Sequence, residues 1–144
     1  MNWLDAEPAP PGLPETDCKA RNYGVFSFRT GNLYTPAMLC QWLEWALGVS
    51  LPPDETWAHD GRFFDPFRPA VEPDGFASED ALFASREATL DAIRTALRRA
   101  KVFVFTLGLT EAWQNRQTVL VYPVCPGTVR GTFDPQLHCF CNFG

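Results

Sequence analysis

Residues 79–107 constrain the fold more than any other stretch of the chain. Ser78 is placed to cap a helix, Glu79 and Asp80 put negative charge on its first turn, and Arg94, Arg98 and Arg99 put positive charge toward its end. Both biases complement the helix dipole. Phe83, Leu90, Ile93 and Leu97 recur at helical spacing, so a helix over 79–100 is expected to bury that stripe. It runs directly into Val102-Phe103-Val104-Phe105-Thr106-Leu107, closed by Gly108. A continuous run of β-branched and aromatic residues with no polar alternation reads as a strand buried on both faces. Helix followed by buried strand is the repeating unit of an α/β fold, a parallel sheet with helices on its faces.

A second helix is expected over 36–47. Thr35 is its N-cap, Pro36 fits the first helical position, and Gly48 can take the left-handed conformation at the end. Met38, Leu39, Trp42, Leu43 and Ala46 form its apolar face. Residues 1–22 read as an extended arm, because Pro8, Pro10, Pro11 and Pro14 fix their own φ and restrict the residues before them. Residues 23–28 leave strand and loop both open. Residues 49–77 carry Pro52, Pro53, Pro66, Pro69 and Pro73 and read as one long loop. Trp57, Phe63, Phe64, Phe67 and Phe76 argue that this loop packs on the body rather than running free. Residues 118–122 suit a short strand, and the proline- and glycine-containing tail after them reads as loop.

The net charge of -5 and pI near 4.9 argue against a nucleic acid or an anionic membrane as partner. No apolar stretch is long enough to span a bilayer, and the acidic, proline-rich start has no signal-peptide pattern. The 5 cysteines, an odd number, are therefore expected as reduced thiols in a cytoplasmic setting, with Cys18 and Cys40 as small buried side chains.

Ligands of parallel α/β sheets bind beyond the carboxyl ends of the strands. Here that end is Thr106-Leu107-Gly108-Leu109-Thr110-Glu111, where a glycine permits a sharp turn and a hydroxyl and a carboxylate follow. From spacing alone, a plain strand-to-loop turn explains these residues at least as well as catalysis does. His138-Cys139-Phe140-Cys141, with Cys125 upstream, offers thiol and imidazole groups. Cys-x-Cys is tighter than the paired spacing of structural zinc sites, so no metal is expected, and nothing points to another cofactor. His59 adjoins Asp60, but neighbours in sequence seldom act as base and orienter, and a surface role is expected.

Residues 102–113 resemble the Thr-Leu-Gly-x-x-Glu-x-Trp signature of GSCFA domains. Glu-Pro-Ala-Pro-Pro at 7–11, the segment 23–35, Asp-Pro-Phe-Arg-Pro at 65–69 and Pro-Gly-Thr at 126–128 agree with that family in order. The resemblance implies a three-layer, flavodoxin-like fold similar to the SGNH hydrolases, of which residues 1–144 would form an internal part. It implies ester hydrolysis or acyl transfer on an acylated carbohydrate or small metabolite. Gly31 would correspond to the glycine of the second block and Gly108 to Glu111 to the third, with Thr110 in place of the usual asparagine and Glu111 in place of the aspartate. Both blocks would help form the oxyanion hole. The serine of the Gly-Ser-Cys-Phe-Ala motif would precede residue 1 and the base would follow residue 144. The chain as it stands is therefore expected to be inactive. A non-enzymatic interaction module using the aromatic loop, or a gene remnant, is the rival reading.

Overall fold

The computed structural model describes residues 4–106 and 108–144. Three helices, α1 (Glu15–Ala20), α2 (Pro36–Leu47) and α3 (Glu79–Arg99), accompany five strands, β1 (Trp57–His59), β2 (Arg62–Phe64), β3 (Glu111–Asn115), β4 (Val121–Tyr122) and β5 (His138–Asn142). β1 and β2 form an antiparallel hairpin, and β4-β3-β5 form a second antiparallel sheet. α2 packs on α3 and also touches β4. No helix among the described residues is long and apolar enough to cross a membrane.

Both long helices start where their caps require. The Thr35 hydroxyl accepts the Met38 N–H at 3.2 Å, and the Ser78 hydroxyl accepts the Ala81 N–H at 3.1 Å. Gly48 ends α2 with φ 72°, a left-handed conformation that glycine adopts without steric cost. The core lies where α2, α3 and the 57–71 segment meet. Trp45 stands edge-on to Phe67 at 5.0 Å, and Phe67 stacks on Tyr122 at 5.5 Å. Trp42, Leu90 and Ile93 complete this cluster. Each such side chain contributes about 1.5–3 kcal/mol by leaving water.

Several sequence expectations are corrected. The expected parallel sheet is absent among the described residues, where both sheets are antiparallel and small. Residues 102–106 form no strand, and Val102, Phe103 and Val104 are 57%, 50% and 78% exposed. Leu107 lies outside the described residues. An apolar run acquires strand structure only from a neighbour that accepts and donates its backbone hydrogen bonds, and no described segment pairs with it. The buried face of α3 runs through Leu82, Arg86, Thr89, Leu90, Ile93 and Ala96, while Phe83 is half-buried and Leu97 exposed.

Within the arm, residues 15–20 are helical rather than extended. Proline restraint ends at Pro14, which sits at the helix N-cap, and the Lys19 ammonium donates to the Glu15 carboxylate at 2.8 Å. The loop at 49–77 contains the β1–β2 hairpin; of its five aromatics Trp57, Phe64 and Phe67 are buried as expected, while Phe63 and Phe76 are half-buried. The short strand expected at 118–122 is confined to β4, and the tail contributes β5 instead of remaining loop. Cys40 is exposed and Cys18 half-buried, so neither is the buried apolar residue expected.

Candidate functional site

The most organised polar assembly is centred on Asp65. Its side chain is fully buried beside those of Arg68 and Arg86, at 0% and 3% exposure. One carboxylate oxygen accepts from Arg68 Nε at 2.8 Å and Arg86 Nε at 3.0 Å. The other accepts from Arg86 Nη2 at 2.9 Å and the Phe67 N–H at 3.1 Å. Burial pushes the Asp65 carboxyl up, but the two guanidinium groups outweigh it and hold the carboxyl below its ordinary value. Arg68 Nη1 continues to the Arg29 carbonyl at 3.2 Å and to Thr89 Oγ1 at 2.7 Å. The Thr89 hydroxyl donates to Glu7 Oε1 at 2.9 Å, and the Arg29 N–H donates to Glu7 Oε2 at 2.7 Å. The network thus ties the N-terminal arm, the 28–31 turn, the 65–69 turn and α3 together.

Gly31 leaves this network with φ 68°. A Cβ there would meet only ordinary contacts with Val71 and Arg68, so the backbone conformation is what calls for glycine. The second expected block lies against the same segment. The Leu109 N–H donates to the Tyr34 carbonyl at 2.9 Å, and a Cβ at Gly108 would stand 3.4 Å from that oxygen. Thr110 is exposed, and its carbonyl accepts the Phe143 N–H at 2.7 Å. Glu111 is exposed and opens β3 opposite Asn142. Gly108 and Leu109 are therefore joined to the 31–35 segment through Tyr34, whereas Thr110 and Glu111 are held by the chain's C-terminal residues. The groove of about 500 Å³ between α2 and the β3–β4 end includes none of these four residues.

Of the segments that carry the sequence resemblance, Glu7, Arg29 and Asp65 to Arg68 meet in the Asp65 network, while the turn at Gly108 touches the neighbouring segment at Tyr34. A sequence model of the GSCFA family matches residues 15–141. The chain belongs to the GSCFA family. No curated protein matches it, and no solved structure matches it.

Two polar sites in this GSCFA chain escape motif reasoning. Tyr122, fully buried, donates its hydroxyl to the Glu55 carboxylate at 2.9 Å, and Asn115 Nδ2 approaches the same hydroxyl at 3.4 Å. Burial, with Glu55 beside it, pushes the Tyr122 hydroxyl above its ordinary value. The Gln41 amide pairs both ways with the Val121 backbone, at 2.8 and 3.1 Å. One signal could have exposed the Asp65 network, because Arg86 sits four residues from both Leu82 and Leu90, on the buried face of α3. An arginine in an apolar stripe demands a buried carboxylate.

Each histidine has a local role. The His59 side chain is 54% exposed, with Nε2 3.3 Å from Asp60, the surface position expected. His138 is buried, its Nδ1 accepts the Asp134 N–H at 3.0 Å, and its ring stands edge-on to Tyr122. Ser85 Oγ accepts from Arg68 Nη2 at 3.2 Å and Ser78 caps α3, so both hydroxyls are committed to structure.

Proposed function

We propose that this chain supplies the oxyanion-side framework of an SGNH-like domain that hydrolyses or transfers acyl groups, with an acylated carbohydrate or small metabolite as substrate. Gly31 and the turn from Gly108 to Glu111 would present backbone N–H groups other than that of Leu109, which is bonded to Tyr34, and at Thr110 a hydroxyl, to the oxyanion that develops on the attacked carbonyl. The observation that carries this reading is the hydrogen bond from the Leu109 N–H to the Tyr34 carbonyl at 2.9 Å. It links two blocks more than seventy residues apart in sequence, which the reading requires to act together. Membership of the GSCFA family and the rigid support beneath Gly31 also favour it. The nucleophile and base would come from outside the residues described here, so the 144-residue chain alone is expected to be inactive. The rival role for the aromatic loop is disfavoured because Trp57, Phe64 and Phe67 are already buried in the core.

The test is an ester-hydrolysis assay, with aryl acetates and acetylated sugars, on the natural gene product. Replacing Gly108 with valine would set a branched side chain against the Tyr34 carbonyl, where even a Cβ stands 3.4 Å from the oxygen, and is expected to shift the turn. Loss of one oxyanion donor lowers the rate about a hundred- to a thousandfold. Unchanged turnover in G108V, or no ester turnover by a protein in which this chain is joined to segments carrying the nucleophile and base, would remove the proposal.

A further inference from the structure

Cys139 and Cys141 alternate with Phe140 along β5, so both side chains leave the same face of the strand. Both are half-buried, and their sulfurs stand 3.5 Å apart. Gln114 of β3 lies opposite Cys139, and its Oε1 is 3.4 Å from Cys141 Sγ. That amide is oriented, because Nε2 donates to the Val119 carbonyl at 3.0 Å. Gln114 also lines the groove of about 500 Å³ between α2 and the β3–β4 end, whereas neither cysteine does.

We propose that Cys139, Cys141 and Gln114 Oε1 form a binding site for a soft divalent cation, held by two thiolates and one amide oxygen. A tetrahedral ion with bonds of about 2.3 Å to sulfur and about 2.1 Å to oxygen sets its sulfurs about 3.8 Å apart and each sulfur about 3.6 Å from the oxygen. The observed 3.5 Å and 3.4 Å separations match two edges of that tetrahedron with only small adjustment. A disulfide, with sulfurs about 2.05 Å apart, would demand a far larger approach. Among the described residues no group of three His, Cys, Asp or Glu side chains could enclose an ion. The site therefore rests on two thiols and the Gln114 amide, with a water as its fourth ligand, and differs from the four-ligand zinc sites that the Cys-x-Cys spacing argues against. Binding exchanges the ion for the protons of the two thiols, released to solvent, with no change of oxidation state.

The test uses the reduced full chain and cadmium ions, whose thiolate complexes absorb in the near ultraviolet. The wild type is expected to develop that charge-transfer band and saturate at one ion per chain. C139S and C141S should each lose it, while C18S, C40S and C125S each retain it. Replacing Gln114 with leucine should weaken binding about tenfold. Persistence of the band in both C139S and C141S, or its dependence on Cys40 or Cys125, would overturn the site. A second measurement needs no substitution. Phenylarsine oxide bridges only two neighbouring thiols, releasing water, and its adduct should map by mass spectrometry to the peptide containing 139–141. No adduct, or one on another pair, would also overturn it.

Discussion

Helix α3 and the run at 102–106 are neighbours in sequence and were the two strongest structural signals in it, yet only the helix has the environment its sequence calls for. α3 closes its backbone hydrogen bonds within itself, caps its first turn with Ser78, and lays one face against α2 and the Asp65 network. The run that follows is as apolar, but Val102, Phe103 and Val104 remain 57%, 50% and 78% exposed. A helix carries its hydrogen-bond partners in its own segment, whereas a strand borrows them from another one. Local pattern therefore determines the first and only announces a requirement in the second. The polar core beneath α3 is fixed by many buried hydrogen bonds, whereas Val102 to Val104 beyond it stand largely exposed.

The comparison can be broken most forcefully at Asp65. Replacing it with alanine leaves Arg68 and Arg86 buried without their carboxylate, a change that typically costs about 3–5 kcal/mol. In a small domain this approaches the whole stability, so D65A is expected to be largely unfolded by circular dichroism and urea titration. The same network gives acid sensitivity. The carboxyl of Asp65 is held below its ordinary value when folded, so its stabilising contribution is complete above the ordinary carboxylate value, near pH 4. It is lost as pH falls through the lower folded value. Denaturant midpoints measured downward from pH 5 should fall accordingly.

A smaller effect is expected at the start of α3. S78A removes the acceptor of the Ala81 N–H and should lower stability by about 1 kcal/mol, read as a shift in urea midpoint. The smallest effect on stability is expected in the exposed run. V104K should change stability by no more than about 0.5 kcal/mol, since surface substitutions of this kind rarely do more. It should nevertheless reduce concentration-dependent association measured by sedimentation, because a lysine blunts an apolar edge against another chain.

What the sequence made legible follows the same division. Thr35, Ser78 and Gly48 marked helix ends correctly because capping is a local matter, decided within a few residues. Burial of Trp57, Phe64 and Phe67 was legible from aromatic content alone. The expected parallel sheet was a misreading, because strand pairing needs partners that no local pattern around Val102 specifies, and the antiparallel pairing of β3 with β4 and β5 left no local mark. β5 was missed because His138-Cys139-Phe140-Cys141 offered unusual chemistry and little strand propensity, while its pairing with β3 is set by the tertiary fold. The Asp65 network was hidden because its members lie up to 82 positions apart, as Glu7 and Thr89 do. The motif proposed Gly31 and Gly108 as site residues, but it did not reveal that Arg68 and Tyr34 lie against them.

Native-state hydrogen exchange tests the contrast most directly. Backbone amides in the second half of α3 should exchange slowly, through global unfolding or a large part of it, whereas those of 102–106 should exchange near the rate of an unstructured peptide. Protection of 102–106 equal to that of α3 would contradict the account, because it would mean that the run is paired in a sheet.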